Sequence, residues 1–182
     1  MSKKKQSRRE KIKEGLSFLE STHRENPTHR TLASGMHSGY SAFGKYGLMP
    51  LTTQEYAKKL LSEQPMTTPP EMMKEPTAED FQQDKEFMRK RKAYDQLANM
   101  PVTTQNQQEL KDILLKQPDI NEDVADRILQ TIERKAGPSE EAAIINWEKG
   151  QNLGTPSLEE QNTSERVRKY KEYFENKAKT KK

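Results

Sequence analysis

Apolar residues are scarce in this chain, and where they cluster they recur at helical rather than strand spacing. Val124, Ile128 and Ile132 fall every four residues, and Ile12, Leu16 and Leu19 sit at i, i+4 and i+7. Each set lines one face of a helix. Strand-like alternation is scarce and β-branched residues are scattered, so the pattern predicts an all-α fold. Hydrophobic residues make up 30% of the chain and charged residues 33%, against roughly 45–50% apolar in an ordinary domain. The core has to be small, and much of the chain has to run over a surface.

Proline and glycine set the boundaries. A first helix is expected over residues 9–21 and ends before Asn26-Pro27, which turns the backbone away from helix. Residues 28–47 read as a loop, with Gly35, Gly39, Gly44 and Gly47 within its last thirteen residues. Thr52 or Thr53 is a candidate cap for a helix running to Leu61. Pro65, Pro69, Pro70 and Pro76 mark residues 64–77 as an extended insertion. Further helices are expected over 78–99, 105–116 and 121–135. Gly137-Pro138 stops the last of these, and Ser139 starts another through Trp147. This divides the chain into a basic tail (1–10), one domain (11–153), and a linker with a polar helix (154–182, helix over 164–177).

The 32 basic and 28 acidic residues leave a modest +4. The excess sits at the ends, in Lys3, Lys4, Lys5, Arg8, Arg9, Lys11 and Lys13 and in Lys177, Lys179, Lys181 and Lys182. Nucleic-acid readers usually carry a basic face within the fold, so nucleic acid ranks last among partners. Without cysteine there is neither a disulfide framework nor a thiolate metal site. His23, His29 and His37 lack the i, i+4 pairing of zinc hydrolases, and neither metal nor cofactor is expected. No run approaches the roughly 20 apolar residues of a membrane span. The basic N-terminus is not followed by an apolar stretch, so no signal peptide is expected.

Several segments stand out in order. Glu20-Ser21 closes the first apolar helix; Ala42-Phe43-Gly44-Lys45-Tyr46-Gly47-Leu48-Met49 follows, then Pro50-Leu51-Thr52. Farther on come Pro118 to Leu129 and then Ala142-Ala143-Ile144-Ile145-Asn146-Trp147-Glu148-Lys149-Gly150. In these elements and their order the chain resembles the soluble lytic transglycosylases, relatives of goose-type lysozymes, over about residues 11–152. It departs from that family where Pro50 replaces a usual Gln, where Trp147 stands in place of a common Tyr, and where the loop after Glu20 and the proline-rich stretch add length. The resemblance implies a lysozyme-like helical domain that cleaves the glycan strands of peptidoglycan. Glu20 would be its catalytic acid/base. Ser21, Gly44, Tyr46, Gly47, Leu48, Met49, Asn146 and Trp147 would surround the substrate.

The residues themselves point the same way. Glu20 borders the apolar stripe of its helix near the C-terminal end. A general acid acting on a glycosidic oxygen has to hold a proton near neutral pH, and lysozyme meets that need with an apolar pocket. Glycines beside the acid let backbone groups approach a sugar ring closely. Tyr46 and Trp147 offer flat apolar faces, with plain core packing the competing reading for Trp147. Met36, Leu48 and Met49 are expected to pack in the core or loop, and Ser21 to cap or brace Glu20. The resemblance implies the anhydro-forming reaction, in which the nucleophile belongs to the substrate and one carboxylate suffices; a hydrolytic outcome using Glu25 or another acid is the alternative. A wall-cleaving enzyme without an export signal suits a phage virion protein, made in the host cytoplasm and delivered to the wall among other virion proteins. The competing classes are a non-enzymatic virion or scaffold component with a degenerate site and a basic nucleic-acid-binding helical protein.

Overall fold

The computed structural model describes residues 6–24, 29, 31–33, 37–64, 78–150 and 153–180. Within them lie eight helices: α1 Arg8–Ser21, α2 Pro50–Glu63, α3 Ala78–Asn99, α4 Gln107–Leu115, α5 Pro118–Ala136, α6 Glu140–Lys149, α7 Leu158–Thr163 and α8 Glu165–Lys179. Among the described residues no strand forms, only the isolated bridges Thr31–Ser41 and Phe43–Leu48. The fold is all-α, as the periodicity requires. Glu25, Asn26-Pro27, Gly35, Met36 and all of the proline-rich insertion except Gln64 lie outside the described residues.

The helix starts show which local signals prevailed. The second helix begins at Pro50, ahead of both threonines, and the fifth at Pro118, ahead of Asn121. Proline suits a first turn, where its missing N–H has no intrahelical partner to lose. Thr53 is buried and donates its hydroxyl back to the Met49 carbonyl at 3.0 Å. Ser139 caps α6 as expected, accepting from the Ala142 amide at 2.8 Å. The short α7 was not visible in the hydrophobic pattern; a reciprocal Ser157–Glu160 capping box starts it.

One cluster of buried side chains ties the helices together. Leu16 of α1, Leu97 of α3, Leu110 and Leu114 of α4, Ile120, Val124 and Ile132 of α5 and Ile144 of α6 are all fully enclosed. The first and last of the described helices join this body. Arg8, assigned from sequence to a tail, and Arg9, the expected start of the first helix, both lie in α1 and pair with Glu133. Lys11 pairs with Glu140, and Lys13 with Glu122 and Asp126. No helix of the described residues is long and apolar enough to cross a membrane.

The polar helix at the C-terminus is more than an extension. α8 packs on α1 and α6 and buries Val167 and Tyr170. Gly15 makes this possible: a Cβ there would stand 2.1 Å from the Tyr170 ring. The Tyr170 hydroxyl donates to Glu140 at 2.8 Å, and Tyr173 donates to Glu14 at 2.6 Å. Burial works to raise the Glu14 carboxyl, but hydrogen bonds from Lys177, Tyr173 and Gln6 and the Lys177 charge outweigh it, holding the group at about 2 against an ordinary 4.5.

Two outcomes follow for the α1–α8 seam. Gly15→Ala should cost about 1–3 kcal/mol in denaturant unfolding, because the enclosed Tyr170 ring has no room to retreat. A carboxyl held low in the folded state adds stability above its unfolded value. The Glu14 share should therefore be lost as pH falls from about 4.5 to about 2. Glu14→Gln should cost about 1–2 kcal/mol at neutral pH and flatten the stability–pH slope in that window.

Candidate active site

The residues after α1 build the site from a tight hairpin. Phe43 and Leu48 exchange backbone hydrogen bonds of 3.0 Å in each direction, enclosing the turn Gly44-Lys45-Tyr46-Gly47. Gly44 and Gly47 adopt φ of +65° and +60°, the left-handed region in which side chains are strained. Ser21 fastens this turn to α1: its hydroxyl lies 2.8 Å from the Ser17 carbonyl and 3.0 Å from that of Lys45. On the other side, the indole N–H of Trp147 donates to the Tyr46 carbonyl at 3.1 Å. Thr22 and His23, just past Glu20, also have positive φ, at 51° and 65°. Such strain, costing about 1–3 kcal/mol per residue, concentrates where the surroundings dictate a geometry.

Glu20 lies on Gly47. A Cβ at residue 47 would come within 2.6 Å of Glu20 Oε2 and 3.1 Å of its Cδ. The carboxylate therefore rests on bare backbone. Its side chain is 18% exposed and lines an open cleft of about 610 Å³ together with Gly47, Leu48, Met49, Asn146 and Trp147. Six of the nine residues proposed from sequence thus meet in one hollow, drawn from α1, the hairpin and α6. Its size suits a small organic ligand or a few sugar rings, for which pockets run about 300–1,000 Å³. Ile128, Ile132, Tyr56 and Leu153 supply an apolar wall.

Three of the sequence assignments change character. Tyr46 is buried, not a sugar platform. Its hydroxyl donates to Glu122 at 2.8 Å, and its ring meets Trp147 edge-on with centroids 6.4 Å apart. Asn146 lines the cleft, but its amide is committed: it donates to the Ala142 and Gly154 carbonyls at 2.8 and 2.9 Å and accepts from the Gly154 amide at 2.9 Å. It pins the chain beyond α6 rather than offering groups to a substrate. Gly44 turns the hairpin, and its carbonyl meets His29 Nε2 at 3.2 Å. Ser21 acts as the expected brace, though on the Lys45 carbonyl.

The apolar setting expected around the acid is also altered, because Arg166 of α8 binds Glu20 Oε1. This arginine and Glu148 both line the cleft, and sequence reasoning missed both. A signal existed: Val167, Tyr170 and Phe174 recur at i, i+3 and i+7, a stripe that marks α8 as a docking helix and carries Arg166 inward. Glu122 is held below the usual carboxylate range; burial opposes this, but hydrogen bonds from Lys45, Tyr46 and Lys13 prevail. The histidines have separate surroundings. His23 bridges Ser17 and Tyr173, His29 meets Gly44, and His37 reaches the cleft wall.

Gly47→Ala should lower stability by about 1–3 kcal/mol through backbone strain and should displace Glu20. Gly47→Asn should recover part of the backbone cost, since Asn tolerates φ > 0, but should leave Glu20 displaced because the Cβ remains. Denaturant unfolding separates these contributions. Compared with protein-family models, with curated proteins and with solved structures, the chain matches none of them.

Proposed function

We propose that this protein is a peptidoglycan lytic transglycosylase with Glu20 as its single acid/base. The observation that carries the reading is the Glu20 carboxylate lying on Gly47 at the floor of an open cleft. Around it stand the Gly47-Leu48-Met49 segment and Trp147, the residues that the resemblance to soluble lytic transglycosylases singles out. The apolar wall and indole suit the faces of sugar rings, and bare backbone at Gly47 admits a ring close to the carboxylate.

In the proposed reaction Glu20 gives its proton to the glycosidic oxygen between N-acetylmuramic acid and N-acetylglucosamine as the C1–O bond breaks. The C6 hydroxyl of the muramic acid then bonds to C1 and closes the anhydro ring. Its proton passes to the Glu20 carboxylate, which restores the acid. No water enters, and one protein carboxylate suffices because the nucleophile belongs to the substrate, unlike the two-carboxylate scheme. Local wall opening during phage entry is the setting we propose, with other virion proteins as partners.

A second reading, a virion component with a degenerate site, draws on Pro50. This residue is buried at the first turn of α2 and carries no donor where the related family has Gln. Against the nucleic-acid reading stand the ion pairs of Arg8, Arg9, Lys11 and Lys13, each of which already has a carboxylate partner within the fold.

Purified walls digested with wild type should release anhydro-muropeptides, detected by mass spectrometry. Glu20→Gln should lower that release by about 10²–10⁴-fold, the usual contribution of a general acid. Equal release by both proteins would remove Glu20 from the mechanism. Products with reducing ends would replace the transglycosylase with a hydrolase.

A further inference from the structure

Resting on that reading of the site, we infer that Arg166 is a gate on Glu20, closed when its guanidinium binds Glu20 and opened by transfer to Glu148. In the closed arrangement both carboxylate oxygens of Glu20 face protein. Oε1 meets an N–H donor of Arg166, and Oε2 lies against Gly47. Proton delivery requires a hydrogen on an oxygen directed at the leaving group. With Arg166 in place, Oε1 has a donor where that hydrogen would sit.

Arg166 has somewhere to go. Its Nε lies 3.6 Å from Glu148 Oε2, and the Glu148 side chain is 66% exposed at the cleft wall, against 23% for Arg166 and 18% for Glu20. That Nε is buried without a hydrogen-bond partner, so the closed pose leaves the guanidinium incompletely satisfied. Arg166 also stands in the first turn of α8, two positions after Ser164, which caps the helix. A cation is disfavoured at that end of a helix dipole. Two carboxylates within reach offset this cost, and a side-chain rotation exchanges one for the other while Val167 and Tyr170 keep α8 docked. An incoming glycan that occupies the cleft beside Trp147 favours the outward position, since the closed guanidinium fills space beside the acid.

The gate predicts opposite effects from removing its two ends. Arg166→Gln takes away the bolt, and Glu148→Gln takes away its open position. Full-length wild type and both variants, checked for equal helicity by circular dichroism, are compared in two ways. The first is labelling of Glu20 by a water-soluble carbodiimide with glycinamide, read by peptide mass spectrometry; the second is the rate of muropeptide release. Arg166→Gln should raise both, and Glu148→Gln should lower both, each by about two- to five-fold, the range a partly exposed ion pair controls. Equal labelling of Glu20 in all three proteins overturns the gate whatever the digestion shows. Release that falls in both variants overturns it too, because a merely structural arginine predicts that result. Labelling that moves in opposite directions while no protein releases muropeptides upholds the gate, and the glycan-cleaving reading is then what falls.

Discussion

The seam between α1 and α8 is the contact on which the rest of the site depends. Tyr170 lies where a side chain of residue 15 would be, so two helices from opposite ends of the chain approach closely over one missing Cβ. The Tyr170 hydroxyl then reaches Glu140 of α6, and Glu14 gathers Tyr173 and Lys177. Six residues along α1 from Glu14, the same helix presents Glu20. The docking that closes the small core therefore also delivers Arg166 to the carboxylate. Charged side chains line much of this seam, as a chain with so few apolar residues requires, and Val167, Tyr170, Phe174 and the stacked Phe18–Tyr173 pair supply its apolar part.

A second missing side chain organises the cleft. Gly47 permits both the left-handed turn and the close seat of Glu20, and the turn is held from two directions by Ser21 and Trp147. These two tethers attach to adjacent carbonyls, those of Lys45 and Tyr46, so α1 and α6 grip one short stretch of backbone. The geometry is stiff because it uses main-chain acceptors, which cannot choose another rotamer. The cleft opens beside this stiff turn, with the Arg166 side chain reaching Glu20 from α8.

Helix placement was legible because it rests on short-range physics: apolar spacing in α1 and α5, the Ser139 cap of α6, and proline stops. Starts were misjudged where Pro50 and Pro118 lead their helices, since the same residue ends one helix and opens another. Glu20, Gly47, Leu48, Met49 and Trp147 were legible as an ordered set. Tyr46 and Asn146 stand beside that set with side chains committed to the fold. Both have polar groups that find partners inside the fold, Glu122 for one and the Gly154 backbone for the other, and sequence carries no record of such distant pairings.

The sequence by itself determined an all-α chain with a small core, and it marked the glycine turn and the glutamate that precedes it. Those are consequences of periodicity and of backbone angles that few residues adopt, both set within a few positions along the chain. The tertiary structure decided that the last helix belongs to the core, that Tyr46 is buried, and that Arg166 meets Glu20 across 146 positions of sequence. Such pairings depend on which helix faces meet, and a charged residue near a helix start looks the same in sequence whether it ends in solvent or on a carboxylate. Packing of Tyr170 into the space above Gly15 made that choice.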